Sequence, residues 1–433
     1  MIHSKLKLHK LIKSLSLIIK SLRFEVIFRK LVSGIAFFKK VLIYTVNMVW
    51  ALPCSILIVL IHPFLEIRLG SIWSGRIGHF IEDPAIYLTM INSQKKNSKK
   101  SIWLFYLNGE IANTHWVKMV SKQLFISPWV RYLFFFCSLL PLKKKICLEL
   151  PSATGPGRDM ILQKTEVKFS FSNDEEAFVK KWLRKYGWKD GEPFVCIHVR
   201  DSAYLEQNKV RGDDYSYHTY RDSEIETYME SIIFLINKGY WVFRMGKAAN
   251  QSIPYKHLKL IDCPFLSDSN DMIDVWLSLN CHFYVSTSSG PVLWPAISKR
   301  PILFVNALPL IDGFYWTNRI WVPKHLIWRK SGKKLTLKEY FQYPLVRSDD
   351  YIRSGINVKS LSSSEILLAV KECEQRVSGT LIYDEIDINY QKTYWNTLSK
   401  IDQFNHSYSI AEINPMARAG KDWLRSLGYD FYN

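Results

Sequence analysis

From Val41 to Ile61 the chain reads VLIYTVNMVWALPCSILIVLI, 21 residues without a formal charge. That is long enough for a helix to cross a bilayer. Pro53 removes a backbone donor near its middle, so the same run also suits a helix lying in the plane of the interface. Beyond it, short apolar runs alternate with stretches of helical period. EIRLGSI (66–72) reads as a strand, SGRIGHF (74–80) as a glycine-containing loop and PAIYLTMI (84–91) as the helix that follows. SIWLFYL (101–107) repeats the strand pattern and stops at Asn108-Gly109, with helical runs over 113–142. In the second half PFVCIHV, YWVFRMG, LKLID, HFYVST and PILFVN are short strands separated by helical segments, which predicts a mostly parallel sheet covered by helices.

Two helices are marked in detail. Ser223 and Glu226 have the spacing of a capping box, Ile225, Tyr228, Met229, Ile232, Ile233 and Ile236 share a face, and Gly239 can stop the helix. A shorter one is predicted over 271–279, with Met272, Val275, Trp276 and Leu279 on one side. ATGPGRD (153–159) reads as turn chemistry, Glu385-Ile-Asp387 as a solvated turn, and 415–428 as a terminal helix. The expected division is 1–63 as a basic arm and apolar segment, 64–185 and 186–380 as two α/β domains, and 381–433 as a helical tail. A length of 433 residues agrees with more than one core.

Charge changes the reading of the N-terminus. Residues 1–40 carry ten Lys or Arg against Glu25 alone, about half of the chain's net +19. A basic arm feeding an apolar segment points to an anionic membrane surface, and the absence of a recognisable nucleic-acid module leaves no nucleic-acid partner expected. The charged stretch is too long for a cleaved signal peptide. Seven cysteines are scattered without CxxC spacing and read as reduced core residues.

Three loops carry candidate chemistry. FVCIHVRDS (194–202) starts as a buried strand and ends in His198, Arg200 and Asp201, groups that need partners or a solvent-lined cleft. At the carboxyl end of a parallel strand, Arg200 can grip a phosphate through two nitrogens. Ser286, Thr287, Ser288, Ser289 and Gly290 end a strand before a helix and can form an anion nest, while Pro291 suits a first helical position and Pro295 would distort the next turn. Arg244 and Gly246 stand at a similar strand end. In SGRIGHF, Gly75 and Gly78 admit close backbone approach, Arg76 can reach an anionic leaving group and His79 can accept a proton. Each loop also has a plain structural reading, as an ion pair, a helix cap or a glycine turn.

Taken in order, GRIGH, HVRD and STSSG resemble the motifs of GT-B glycosyltransferases related to the fucosyltransferases. The stretch YRDSEIETYMESIIFLINKGYWVFRMGK is similar to glycosyltransferases of bacterial surface-polysaccharide clusters. The resemblance spans roughly residues 65–380. It implies two Rossmann-like α/β domains facing a cleft. His198 and Arg200 would contact the donor diphosphate or sugar, Ser286 to Ser289 the phosphates, and Gly75, Arg76 and Gly78 the side of the cleft between domains. His79 stands where the fucosyltransferase motif has Asn, and Asp201 follows Arg200 directly, so a GDP-fucose donor is not implied. No Asp-x-Asp ends a mid-chain strand, so the expected enzyme needs no metal and no cofactor.

The resulting expectation is sugar transfer from a nucleotide sugar to a lipid-linked or surface-polysaccharide acceptor such as lipopolysaccharide O-antigen or capsule. The catalytic set would be His79, Arg76 and Arg200, and the protein would be held peripherally or monotopically at the cytoplasmic face of the inner membrane. A noncatalytic membrane-associated polysaccharide-binding or assembly protein with the same fold is the alternative.

Overall fold

The computed structural model describes residues 39, 41–94, 100–151, 156–203, 216–313, 315–406 and 413–432. Most of the basic arm and part of the Gly-Pro-Gly turn therefore lie outside the described residues. The chain divides into two compact units. One comprises the described residues of Met1–Gly70, Lys99–Tyr106 and Ser127–Glu149, the other those of Ser71–Ser98, Leu107–Ile126 and Leu150–Asn433.

In the first unit, Val41–Ile61 is a single helix long and apolar enough to cross a membrane. Its Ala51, Ser55 and Ile58 are buried. Spacings of four and three place them on one face. That face packs into a small core with Leu69, Val130, Leu133, Phe136 and Ile146.

Four strands, β1 (Glu66–Trp73), β2 (Ser101–Asn108), β3 (Phe125–Ile126) and β4 (Cys147–Leu148), form a sheet in the order β3-β2-β1-β4. The helix after β1 is Ile77–Gln94. It starts seven residues before the predicted PAIYLTMI, so Gly78 and His79 belong to its first turn and not to a loop.

The second unit holds a seven-stranded sheet. Its strands are β5 (Phe194–His198), β6 (Trp241–Arg244), β7 (Leu260–Asp262), β8 (Phe283–Ser286), β9 (Ile302–Val305) and β10 (Arg319–Val322). β11 (His325–Trp328) and β12 (Ile356–Lys359) pair antiparallel beside it in sequence, and β13 (Arg418–Ala419) returns to the large sheet. The order is β13-β10-β9-β8-β5-β6-β7, and every neighbouring pair is parallel. Helices on both faces require strands apolar on both sides, and β6, β8 and β9 are buried at every position. The expected α/β class with parallel sheets is the one the chain adopts.

The topology has one functional consequence. From β5 the chain builds outward through β6 and β7, then crosses back to lay β8 on the other side of β5 and continues through β9 and β10. The order therefore reverses between β5 and β8. In open parallel sheets, the crevice outside the strand ends at such a reversal is where ligands bind.

Several local expectations are corrected. Ser223 caps nothing: its hydroxyl accepts from Asn306 Nδ2 at 2.7 Å and contacts the Tyr228 hydroxyl at 3.3 Å, and the segment starts as a 3-10 turn over Ile225–Tyr228 before the α-helix Met229–Asn237. The shorter helix forms where expected, as Asp271–Asn280, and is capped by the Asn270 side chain. Asp387 is no solvated turn. It lies buried in the first turn of the helix Glu385–Leu398, 2.7 Å from Arg425 Nε. The predicted terminal helix is shorter, Lys421–Leu427, because Arg418–Ala419 is spent as an edge strand. All seven cysteines are free, and all but Cys54 are buried.

Candidate functional site

The site grows from the carboxyl ends of β5 and β8. β5 is central, buried from Phe194 to Ile197, and its last residue, His198, is the first to reach partial exposure. Beyond it the backbone N–H of Arg200 donates to Thr287 Oγ1 at 3.0 Å, and the Thr287 N–H donates to the His198 carbonyl at 3.4 Å. His198 Nδ1 and Ser289 Oγ lie 2.8 Å apart. The HVRD and STSSG loops are thus stitched together at the sheet reversal. Ser286, Thr287 and Ser288 are buried, and Ser288 is held at φ 35, a left-handed conformation costly for a residue with a side chain. Pro291 sits in the opening 3-10 turn Gly290–Val292, and the α-helix behind it, Leu293–Ile297, is cut to five residues that include Pro295.

The third loop meets the second through glycine. A Cβ on Gly290 would stand 2.7 Å from Ile77 Cγ2 and 2.8 Å from the Gly78 nitrogen, and one on Gly78 would stand 3.3 Å from the Gly290 Cα. Two backbones approach here at a distance only glycine allows. Gly109, at φ +98, leans in the same way on Gly75. Next to this contact the Arg76 guanidinium lies 5.2 Å from the Trp73 ring, whose face stacks on His79 at 4.8 Å.

The side chains named from the sequence divide into two groups. Arg200 is directed at the reversal: its Nε donates to Asp222 at 3.1 Å, which leaves the two-nitrogen edge of the guanidinium outside the pair. Asp201 does not pair with Arg200. It accepts from the backbone nitrogens of Ala203 and Asn250 at 3.0 and 2.9 Å and lies 3.6 Å from Arg244. Arg244 is 2 % exposed, between Asp201 and Asp262, and donates to the Gln251 carbonyl at 2.7 Å. In this position it ties the loops together. Gly246 has φ +135, and a Cβ there would stand 4.0 Å from His198 Nε2.

Four further residues were not singled out from the sequence. His218 and Arg221 lie on the 3-10 turn Ser216–Arg221, followed by Asp222. Burial and the charges of Arg221, Arg200 and Arg76 push the His218 imidazole down to about 3. The charges of guanidinium groups from three separate segments therefore act on one neutral ring. Lys324 is 4 % exposed, donates to the Asp222 carbonyl at 2.6 Å and is lowered by burial to about 8. The signal available was the cluster YHTYRDS, whose place beside Arg200 only the crossover from β5 reveals.

His198 is likewise pushed to about 4 by burial and by Arg200 and Arg244, and His79 to about 4 by burial, Arg158 and Arg76. Glu82 is raised by burial to about 7 despite Arg158. Arg158 belongs to the helix Pro156–Gln163, where the sequence suggested only a turn. Its Nη1 donates to Glu82 Oε2 and Asp83 Oδ1, each at 2.8 Å. Among the described residues, His79, Glu82 and Asp83 offer metal-type ligand atoms within 4.8 Å of one another. The Arg158 guanidinium already bridges the two carboxylates, so this donor set is neutralised from within.

No family model matches the chain, and no curated protein matches it. Among solved structures it is similar to a glycosyl transferase family 9 protein from Veillonella parvula, with a TM-score of 0.44 and 10% identity over 72% of this chain and 98% of that one. It is also similar to the E. coli ADP-heptose LPS heptosyltransferase II, at TM-score 0.35 and 12% identity over 56% and 86%. A third likeness is to TibC, an iron-containing dodecameric glycosyltransferase from enterotoxigenic E. coli, at 0.32 and 13% over 57% and 60%. At such scores these likenesses carry no argument about activity, which has to come from the site.

Two outcomes are expected. Gly290→Ala puts a methyl against backbone that cannot move aside, so it should cost about 1–3 kcal/mol in denaturant unfolding, whereas Gly191→Ala tests only an open left-handed turn. For the histidines, a folded value below the ordinary 6.5 means that the unfolded chain binds more protons between about 3 and 6.5. Stability is then lost as pH falls through that window. Glu82, raised to about 7, works in the opposite sense, so the difference between wild type and His218→Gln isolates the effect. Melting temperature of the variant should fall less between pH 7 and pH 4, and parallel profiles would contradict the cluster.

Proposed function

We propose that the chain is a glycosyltransferase of GT-B type that binds the diphosphate of a nucleotide sugar at the β5/β8 reversal. The observation that carries this reading is the joining of the HVRD and STSSG loops at that reversal, where Arg200 is held by Thr287 and Asp222 beside a hydroxyl-rich turn bound to His198. As the bond between the anomeric carbon and the diphosphate breaks, negative charge collects on the leaving oxygen. Fixed guanidinium groups in a half-dehydrated site stabilise that charge without reorganising. Keeping His79, His198 and His218 neutral leaves their ring nitrogens able to accept or donate singly.

His79 is the proposed acceptor of the proton from the attacking hydroxyl. Burial and Arg158 account for most of its lowered basicity and Arg76 for the least, so a bound diphosphate that offsets Arg76 would raise it only in part. Glu82 lies behind it, too enclosed at 9 % exposure to meet an acceptor directly. The acceptor we propose is a lipid-linked glycan of a surface polysaccharide, O-antigen or capsule, reached from the cytoplasmic face of the membrane with Val41–Ile61 as a monotopic anchor. The proposed chemistry needs no metal, because Arg158 fills the carboxylate pair and guanidinium groups serve the diphosphate.

The primary test is a donor panel with purified membranes, read as nucleoside diphosphate release and as mass shifts in lipid-linked products. Binding without release would favour the noncatalytic polysaccharide-binding alternative. Arg200→Lys keeps the charge and loses the planar grip, so kcat/KM should fall roughly tenfold to a thousandfold. Melting temperature should move only a few degrees, since one exchanged hydrogen bond to Asp222 is at stake, about 1 kcal/mol. If stability falls as far as activity and nucleoside diphosphate protects both proteins equally, Arg200 serves Asp222 alone. EDTA should leave turnover largely unchanged; loss of activity restored by manganese or magnesium would assign the His79, Glu82 and Asp83 group to a cation.

A further inference from the structure

The first unit carries a second apolar surface that the sequence pattern did not flag. Helix Val130–Ser138 and the turn after it bury Val130, Leu133 and Phe136 in the core but leave Phe135 40 %, Leu139 68 % and Leu142 37 % exposed. Leu142 is held at φ 66, where a leucine is strained and a glycine would not be. Lys143, Lys144 and Lys145 follow at once, all exposed. Over 127–149 the only acid is Glu149, against Arg131 and these three lysines.

This surface is continuous with the apolar helix. Tyr44 packs edge-on against Phe135 at 4.7 Å and Tyr132 at 5.3 Å, and Trp50 reaches Tyr132 at 6.2 Å. The helix face opposite Ala51, Ser55 and Ile58 is bare, with Val46, Val49, Leu57 and Leu60 between 55 % and 79 % exposed. A helix fixed along one side to a folded unit cannot cross a bilayer by itself without pulling that unit's core apart. Apolar tips followed directly by lysines match the boundary between acyl chains and anionic headgroups.

We propose that the 135–145 turn and the exposed face of Val41–Ile61 form one docking surface that seats in a single leaflet of an anionic bilayer, with Leu139 and Leu142 dipping below the headgroups and Lys143–Lys145 among them. The assignment stands independently of the glycosyl-transfer reading and extends the anchor from one element to two. Patches of this size are otherwise rare on a soluble surface.

The test uses the full chain with Cys54→Ser, since Cys54 is the one exposed cysteine, and Leu139→Cys labelled with bimane. Vesicles contain phosphatidylcholine with or without phosphatidylglycerol. On phosphatidylglycerol vesicles the probe should shift blue and be quenched by brominated acyl chains, and exchanging all three lysines for Gln should abolish both changes while circular dichroism melting is unaltered. Protein that floats with the vesicles while the probe stays in water would overturn the proposal. So would a blue shift already present without vesicles, which would mean that a second copy covers the patch. An equal response on phosphatidylcholine alone would reject the anionic lipid.

Discussion

Everything at the candidate site depends on two backbones meeting at Gly78 and Gly290. One belongs to the first turn of the helix that follows β1, the other to the turn that follows β8, more than two hundred residues later. A side chain at Gly290 would collide with Ile77 and the Gly78 backbone, and one at Gly78 would press on Gly290. With glycine at both, the SGRIG turn is pressed onto the STSSG turn, which is itself laced to the end of β5 through Thr287 and Ser289. Three sequence motifs become one site through packing that no single motif contains.

That packing creates an electrostatic problem. The charges of Arg76, Arg200 and Arg221 act on one ring, and burial penalises that of Arg200. Part of the strain is relieved locally. Asp222 takes one nitrogen of Arg200, and the histidines stay neutral. Asp201 does not contribute to that relief, since it is committed to Arg244 and the loop backbone. An anionic ligand such as the proposed diphosphate would stabilise a site assembled this way.

The sequence was most informative where physics acts locally. Buried parallel strands read as unbroken apolar runs, so β5, β6, β8 and β9 were placed nearly to the residue, as were the loops at their ends. Longer-range facts were hidden. Nothing in FVCIHVRDS tells Asp201 to turn toward Arg244 rather than Arg200; that choice follows from β6 lying beside β5. Arg158 read as part of a glycine-proline turn, because its partners Glu82 and Asp83 lie about 75 residues away. Ser223 satisfied a capping pattern yet serves Asn306, since a buried amide outcompetes an exposed helix end.

The charged end of β5 can now be understood physically. A central strand of a parallel sheet is flanked on both faces and both edges, so it reaches solvent only at its ends, and ligands bind at the carboxyl end. His198 stands at that end, fixed by Ser289, and Arg200 stands one step beyond, its backbone held by Thr287 and one nitrogen by Asp222. Each group is restrained enough to hold its direction while keeping polar atoms uncommitted. Full internal pairing would have made a stable loop with no capacity for a ligand, and no pairing would have left a buried charge that the fold could not carry. The partial commitment of Arg200, one nitrogen to Asp222, sets it apart from a structural ion pair such as Arg158, whose single nitrogen serves two carboxylates in the interior, and is the ground for proposing it as a binding group.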